Sequence, residues 1–466
     1  MTEVFPITNP ATAALIQEMP GDDGAAIAQK AALARAAQPG WAATPLAERI
    51  AAIAQFRHRL VERADALAAL LTSETGKPIT QARSEILSTP RRLDFFIENA
   101  PSVLAPQRVY AEPASSLPGT GQLEEVIAYD PLGVIANISA WNYPYFVGTN
   151  VFVPALLMGN AVLYKPSELA TLTGLAMADL LHEAGVPPDV FVPVVGGGLT
   201  GAVLLEQRID GVFFTGSYAT GQKIAAAAVP KMIPMQLELG GKDPAYVAAD
   251  ADLAQAAASL ADGAFYNNGQ SCCAVERIYV HANVYEAFLE KFMATVQGLT
   301  LGDPTDPDTD LGPLSRKPQL AVLDQQVADA LAKGAKLLCG GQRLPRPGWY
   351  FAPTVLADVN HTMTVMQAET FGPVIGVQRV PDDATALALM QDTPYGLTAA
   401  VYSASRDRAV ALLSQIPSGT AYWNCCDRVS PHLPWSGRGQ SGLGVTLSVA
   451  GLYTFLHPRA WHLRAG

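Results

Sequence analysis

The chain has 466 residues, 16% of them charged, and a formal net charge of −11. An acidic surface offers no basic face to nucleic acid or to an anionic membrane, so neither is expected as a partner. The length suggests about three domains, with material for more than one sizeable core.

The N-terminal Met1-Thr-Glu-Val-Phe-Pro has no basic segment leading into an apolar one, and no uninterrupted apolar run reaches membrane-spanning length. A cytoplasmic address is therefore expected. Four of the five cysteines form the adjacent pairs Cys272-Cys273 and Cys425-Cys426, poor geometry for a disulfide framework. The seven histidines are scattered without zinc-site spacing, and no metal is expected. There is no Gly-x-Ser-x-Gly elbow to support a serine hydrolase.

In chain order, Pro45 to Thr75 has apolar residues at helical spacing (Leu46, Ile50, Ile53, Phe56, Leu60, Leu67, Leu70) and ends at Gly76-Lys-Pro, predicting one amphipathic surface helix. Val109 to Tyr129 holds Pro113 and Pro118-Gly-Thr-Gly without helical periodicity and reads as a β-hairpin arm. Between Pro131 and Ala264, strand-like Gly133-Val-Ile-Ala-Asn-Ile, Asn160-Ala-Val-Leu-Tyr and Gly211-Val-Phe-Phe alternate with helical stretches such as Leu172 to Ala184, the pattern of a parallel sheet. A second alternation runs from Tyr279 to Tyr422, and Tyr453 to Leu463 reads as a strand partnering the arm.

Two runs offer chemistry. Tyr266-Asn-Asn-Gly-Gln-Ser-Cys272-Cys-Ala-Val-Glu-Arg277 carries a thiol, and Gln236-Leu-Glu238-Leu-Gly-Gly-Lys242 a carboxylate. A cysteine attacks carbonyl carbon as thiolate, so it needs an activating environment or a base within reach. For a dinucleotide phosphate, Gly196-Gly-Gly198-Leu-Thr-Gly201 fits Gly-x-Gly-x-x-Gly only weakly. Gly216-Ser217-Tyr-Ala-Thr-Gly221 is the better candidate, because it follows the strand Val212-Phe-Phe214 and precedes a helix-like Gln222 to Ala228, where backbone N–H groups and the Ser217 hydroxyl would face pyrophosphate.

Both runs resemble the signatures of the NAD(P)-dependent aldehyde dehydrogenase superfamily: Gly269-Gln-Ser-Cys272 around the nucleophile and Leu237-Glu-Leu-Gly-Gly-Lys242 around the glutamate. Further similar stretches are Trp141-Asn142-Tyr-Pro144, Lys165-Pro-Ser-Glu168, Phe214-Thr-Gly216-Ser217, Glu369-Thr-Phe371-Gly-Pro373, Pro394-Tyr-Gly396-Leu and Ser441-Gly-Leu-Gly444, all in family order. The resemblance implies two Rossmann-like α/β domains with parallel sheets plus a small β oligomerisation arm. Residues 1–107 and 130–240 would form the dinucleotide-binding domain, 241–440 the catalytic domain, and 108–129 with 441–466 the arm and C-terminal strand. Such an arm is shared between subunits in the family, implying a homodimer or homotetramer.

The implied activity is NAD-dependent oxidation of an aldehyde to its acid, with NADP possible. Cys272 would be the nucleophile, Glu238 the base for the hydrolytic water, and Asn142 an oxyanion donor with the Cys272 backbone N–H. Ile138, Trp141, Lys165, Glu168, Gly198, Phe214, Gly216, Ser217, Leu239, Glu369 and Phe371 would hold the cofactor. Tyr143, Phe146, Val147, Tyr266, Ser271, Cys273, Asp427 and Val429 would line a substrate tunnel suited to a medium apolar or aromatic aldehyde. Asp427 and Arg428 are expected to pair with each other at its rim, the alternative being contact with a charged tail.

The sequence departs from the family pattern at Ala140, where many members have Pro, and in Pro434-Trp-Ser-Gly437-Arg-Gly-Gln-Ser-Gly442, which bears on the tunnel entrance. Two other functions stay open. A CoA-acylating semialdehyde dehydrogenase is disfavoured by Glu238, which that branch usually lacks, and an inert binding paralogue is disfavoured by the joint presence of Cys272, Glu238 and Asn142.

Overall fold

The computed structural model describes residues 4–113 and 121–465. A first sheet has strand order Gly442–Leu443, Met235–Glu238, Gly211–Thr215, Val134–Ile138, Ala161–Lys165 and Phe191–Pro193, parallel throughout except at its first edge. Val134, Ile135, Ala136, Val162 and Leu163 have no exposed surface, because helices cover both faces. This is why these strands read as continuous apolar runs and not as alternating ones.

The second sheet runs Lys336–Cys339, Thr354–Ala357, Val374–Val380, Val275–His281, Asp243–Val247, Thr398–Tyr402 and Thr420–Trp423, again parallel except at the Lys336 edge. The expected α/β class with parallel sheets is present. The chain passes from one sheet to the other between Glu238 and Asp243, so the Leu-Gly-Gly-Lys segment bridges the two.

The arm is a three-stranded antiparallel sheet in which Leu123–Pro131 lies between Gln107–Glu112 and Leu456–Arg464. The Pro118-Gly-Thr-Gly turn expected there falls mostly outside the described residues. Gly442–Leu443, assigned from sequence to the arm segment, instead pairs with Met235–Glu238 in the first sheet.

The single helix expected over Pro45 to Thr75 is two, Leu46–Glu62 and Ala64–Thr75. The break is at Arg63, with φ −104° and ψ 15°, which redirects the second segment so that Leu67, Ala68 and Leu71 join the same buried cluster as Ile53, Phe56 and Leu60. Gly76 stops it as expected, in the left-handed region at φ 74°, with its N–H on the Thr72 carbonyl at 2.8 Å. Among the described residues no helix is long and apolar enough to cross a membrane.

Candidate active site

The carboxyl ends of the first sheet's strands deliver Ile138, Lys165, Thr215 and Glu238 to one edge, the place where open parallel sheets bind ligands. Across it lies the loop before strand Val275–His281. Asn267, Asn268 and Gly269 are successively left-handed, with φ of 52°, 58° and 67°, a run that Asn and Gly tolerate and β-branched residues do not. At Gly269 a Cβ would meet the Gly372 carbonyl oxygen at 2.5 Å. The loop is tied down by side-chain amides: Asn142 Nδ2, from the first sheet's side, donates to the Gln270 carbonyl at 3.1 Å, and the loop's own Asn267 Nδ2 to the carbonyls of Asn142 and Gln270 at 3.2 and 3.3 Å. Asn142 is left with a second amide N–H.

The glycines of the glutamate run are explained by close approach. A Cβ on Gly240 would lie 2.3 Å from Glu369 Oε1, and one on Gly241 2.8 Å from the Cys272 carbonyl. The Gly241 N–H donates to Glu369 Oε1 at 3.1 Å. Behind it, the buried Lys242 ammonium meets Glu276 at 2.7 Å and the Thr370 hydroxyl at 2.8 Å, while Glu276 accepts the backbone N–H groups of Thr370 and Phe371.

A cleft of about 250 Å³ opens here, lined by Trp141, Asn142, Gly216, Ser217, Glu238, Leu239, Cys272, Glu369 and Phe371 together with Ala140, Thr215, Gly240, Arg316, Gln319 and Val322. Trp141 and Phe371 meet edge to face at 5.6 Å. Burial pushes the Glu238 carboxyl up to about 8, against the hydrogen bonds of Gln236 and Trp435 that lower it. Burial, and then the nearby Glu276 charge, raises Glu369 to about 7.

The helix after the cleft's glycine turn begins at Tyr218, four residues before the expected start at Gln222, and is capped by Ser217. Gly216 has no room for a Cβ, which would strike the Phe214 ring at 2.4 Å. Lys165, Glu168 and Gly198 lie apart from this cleft. Gly198 opens the helix Gly198–Glu206, the Lys165 stem passes 3.7 Å from where a Gly201 Cβ would sit, and Lys165 Nζ is 3.9 Å from a Glu168 carboxylate that is half exposed. Ile138 and Phe214 are buried in the sheet.

Tyr143 and Phe146, next along the chain from Asn142, are parallel within 6° with ring centroids 6.0 Å apart. Val147 follows Phe146 on the helix Pro144–Leu157, which Tyr143 precedes, and Val429 packs against the same large buried cluster as Cys272. Burial raises the Tyr266 phenol to about 12. The expected rim pair of Asp427 with Arg428 is absent among the described residues. Asp427, at φ 48°, instead accepts the Cys273 thiol at 2.8 Å and the Ser271 hydroxyl at 3.4 Å; its backbone twist turns it inward, and burial lifts it to about 6.

A family model described as the aldehyde dehydrogenase family matches residues 1–460. The chain belongs to the aldehyde dehydrogenase family. Succinate-semialdehyde dehydrogenase (NADP(+)) 1 of Mycobacterium tuberculosis is 36% identical over 397 residues, covering 85% of this chain and 86% of that one. Succinate-semialdehyde dehydrogenase (NADP(+)) of Deinococcus radiodurans is 35% identical over 459 residues, covering 98% and 94%. Among solved structures, 3,6-anhydro-L-galactose dehydrogenase in complex with NAP superposes with a TM-score of 0.94 at 32% identity, covering 99% and 96%. Lactaldehyde dehydrogenase from Escherichia coli does so at 0.92 and 32%, covering 99% and 96%.

This aldehyde dehydrogenase also holds a charged group that motif reading misses. The fully buried Lys77 and Glu85 form an ion pair, with the Lys77 ammonium 3.9 Å from the Tyr143 ring centroid. Arg92 lies 4.0 Å over the Phe146 ring. The only sequence signal is the set of charged residues between Lys77 and Arg92, in and just before the helices Ile79–Ser88 and Pro90–Leu104.

Proposed function

We propose that this oxidoreductase turns an aldehyde into its carboxylic acid through covalent attachment to Cys272. The observation that carries the reading is the convergence of Cys272, Glu238 and Asn142, from three separate segments, on one cleft. The Cys272 sulfur adds to the aldehyde carbon, and the developing oxyanion takes the spare Asn142 amide N–H and the Cys272 backbone N–H as donors. Glu238, once deprotonated, takes a proton from water, which attacks the resulting thioester and frees the acid.

The residues present suit a nicotinamide dinucleotide. Gly216 and Ser217 line the cleft at the start of the helix Tyr218–Ala228, where first-turn N–H groups suit a phosphate, and Gly240 clears space where Glu369 can receive a ribose. When bound, the dinucleotide supplies the hydride acceptor that turns the thiohemiacetal on Cys272 into a thioester. Lys165 and Glu168 would hold the adenosine ribose. The mycobacterial and Deinococcus relatives carry NADP(+) in their names, and NAD and NADP both fall within the reading.

The domains divide as the sheets do, with the nucleotide on the first and Cys272 on the second. The arm, whose outer strands expose Val109, Tyr110, Trp461 and Leu463, joins subunits of a homo-oligomer; a mass measured in solution at one subunit would remove that part.

The test is an aldehyde panel followed at the reduced-nicotinamide absorbance with NAD and NADP side by side, and with products identified. Carboxylic acid is expected, unchanged by free CoA. An acyl-CoA as main product, or no turnover of any aldehyde, would overturn the reading.

A further inference from the structure

We propose that Arg92 recognises a carboxylate at the far end of the aldehyde, making short ω-carboxylated aldehydes the preferred substrates. The inference rests on the proposed oxidation at Cys272 and adds a substrate class to it.

Arg92 sits on the helix Pro90–Leu104 and is only 6% exposed, yet among the described residues no carboxylate lies within ion-pair distance of it. Buried charges are ordinarily paired. Among the described residues its one hydrogen bond runs from a terminal nitrogen to Asn150 Oδ1 at 3.0 Å, which leaves most of its five donors uncommitted there. Those nitrogens keep a little accessible surface within this largely buried residue.

The nearby carboxylates are engaged elsewhere. Glu85 pairs with Lys77 and accepts the Tyr145 N–H at 2.9 Å, and Asp427 holds the Cys273 thiol. The cation nevertheless lies close to the chemistry: it sits over the Phe146 ring, which stacks on Tyr143, the residue after Asn142 of the Cys272 cleft. It is also held rigidly, clamped between the Asn150 amide and the Phe146 ring.

A planar carboxylate matches the guanidinium fork with two hydrogen bonds. With its aldehyde carbon at Cys272, such a substrate would run its methylenes along Phe146 and Tyr143 and set its carboxylate on Arg92. An uncharged aldehyde would leave the cation unpaired.

The experiment compares kcat/KM for glyoxylate, 4-oxobutanoate and 5-oxopentanoate with those for acetaldehyde, butanal and pentanal, in the native enzyme and in Arg92→Met and Arg92→Lys. The native enzyme is expected to favour one of the oxo acids over its uncharged counterpart by at least ten-fold. Arg92→Met should erase that preference through KM while still oxidising butanal, and Arg92→Lys should restore part of it. A charged-to-uncharged ratio near one in the native enzyme, or a ratio unchanged in both variants, overturns the proposal even while aldehydes are oxidised. Absence of turnover with every aldehyde removes the underlying reading instead. Should Arg92→Met not fold, the native ratio and Arg92→Lys alone decide.

Discussion

The Cys273 thiol donates to Asp427 Oδ1 at 2.8 Å, whereas its neighbour Cys272 lines the cleft shared with Glu238 and Asn142. Hydrogen bonding within the cysteine pair, burial and the Asp427 charge together raise the Cys273 pKa well above the usual thiol range, so it stays protonated near neutral pH. Cys272→Ala is therefore expected to abolish oxidation, and Cys273→Ala to keep a substantial part of it. Kinetics of the two purified variants check this, and the opposite pattern would move the nucleophile to position 273.

A second expectation concerns pH. A carboxyl raised to about 8 is protonated below that value and becomes a base only as pH rises through it. If hydrolysis of the thioester limits turnover, kcat should climb between pH 6 and about 8 and level off above. Glu238→Gln should lose that inflection, turn over slowly, and release an initial burst of reduced cofactor as thioester accumulates. A rate of thioester hydrolysis, followed directly, that stays flat across this range would remove Glu238 as the base.

Much of this site was legible in the sequence because its residues sit in short contiguous runs, although the partners that require glycine at 240, 241 and 269 (Glu369, Cys272 and Gly372) lie far along the chain. The alternation of apolar strands and helices likewise gave the parallel sheets. The Arg63 break was hidden, since apolar spacing continues across it and the turn depends on what each half packs against. Asp427 pointed inward for a backbone reason, a positive φ at a non-glycine position, that composition does not signal. Lys77 meets Tyr143, Arg92 meets Phe146 and Glu85 meets the Tyr145 N–H only across a tertiary interface, so no local pattern could join them.

The Gly240 contact yields a third prediction. Because a Cβ there would lie 2.3 Å from the Glu369 carboxylate, Gly240→Ala must displace Glu369 or the loop. The KM for the dinucleotide should rise at least about ten-fold, the scale of one charge-assisted hydrogen bond lost. Alkylation of Cys272 by iodoacetamide should continue at a similar rate. An unchanged cofactor KM would place Glu369 away from the ribose.

The buried pair of Lys77 and Glu85 sets a fourth. Burial lowers the Lys77 pKa and raises that of Glu85, and each charge offsets the other's desolvation. Lys77→Met strands the Glu85 carboxylate and should destabilise the protein by about 3–5 kcal/mol. The fall in melting temperature should be smaller in Lys77→Met with Glu85→Gln, where no charge remains, although the Tyr145 N–H then keeps only a neutral acceptor. Equal melting temperatures for native protein and Lys77→Met would show the pair to be energetically idle.

The last prediction is cofactor choice, and it turns on Glu168. A carboxylate accepts hydrogen bonds from both ribose hydroxyls of NAD, whereas the 2′-phosphate of NADP brings like charge against it. Two like charges about 4 Å apart cost ~4 kcal/mol at an effective dielectric near 20. Two features reduce that figure here. The Glu168 side chain is half exposed and free to swing outward, and Lys165 Nζ, 3.9 Å from it, can turn toward a phosphate. The repulsion that survives should be worth nearer one factor of ten than three. We therefore expect a moderately higher kcat/KM with NAD in the native enzyme, and a shift toward NADP in Glu168→Gln, read as the ratio of the two efficiencies. Glu168→Gln keeps the size of the side chain and one acceptor, so an equal loss with both cofactors would indicate a structural role. A ratio unmoved by the substitution would place the adenosine ribose out of reach of Glu168.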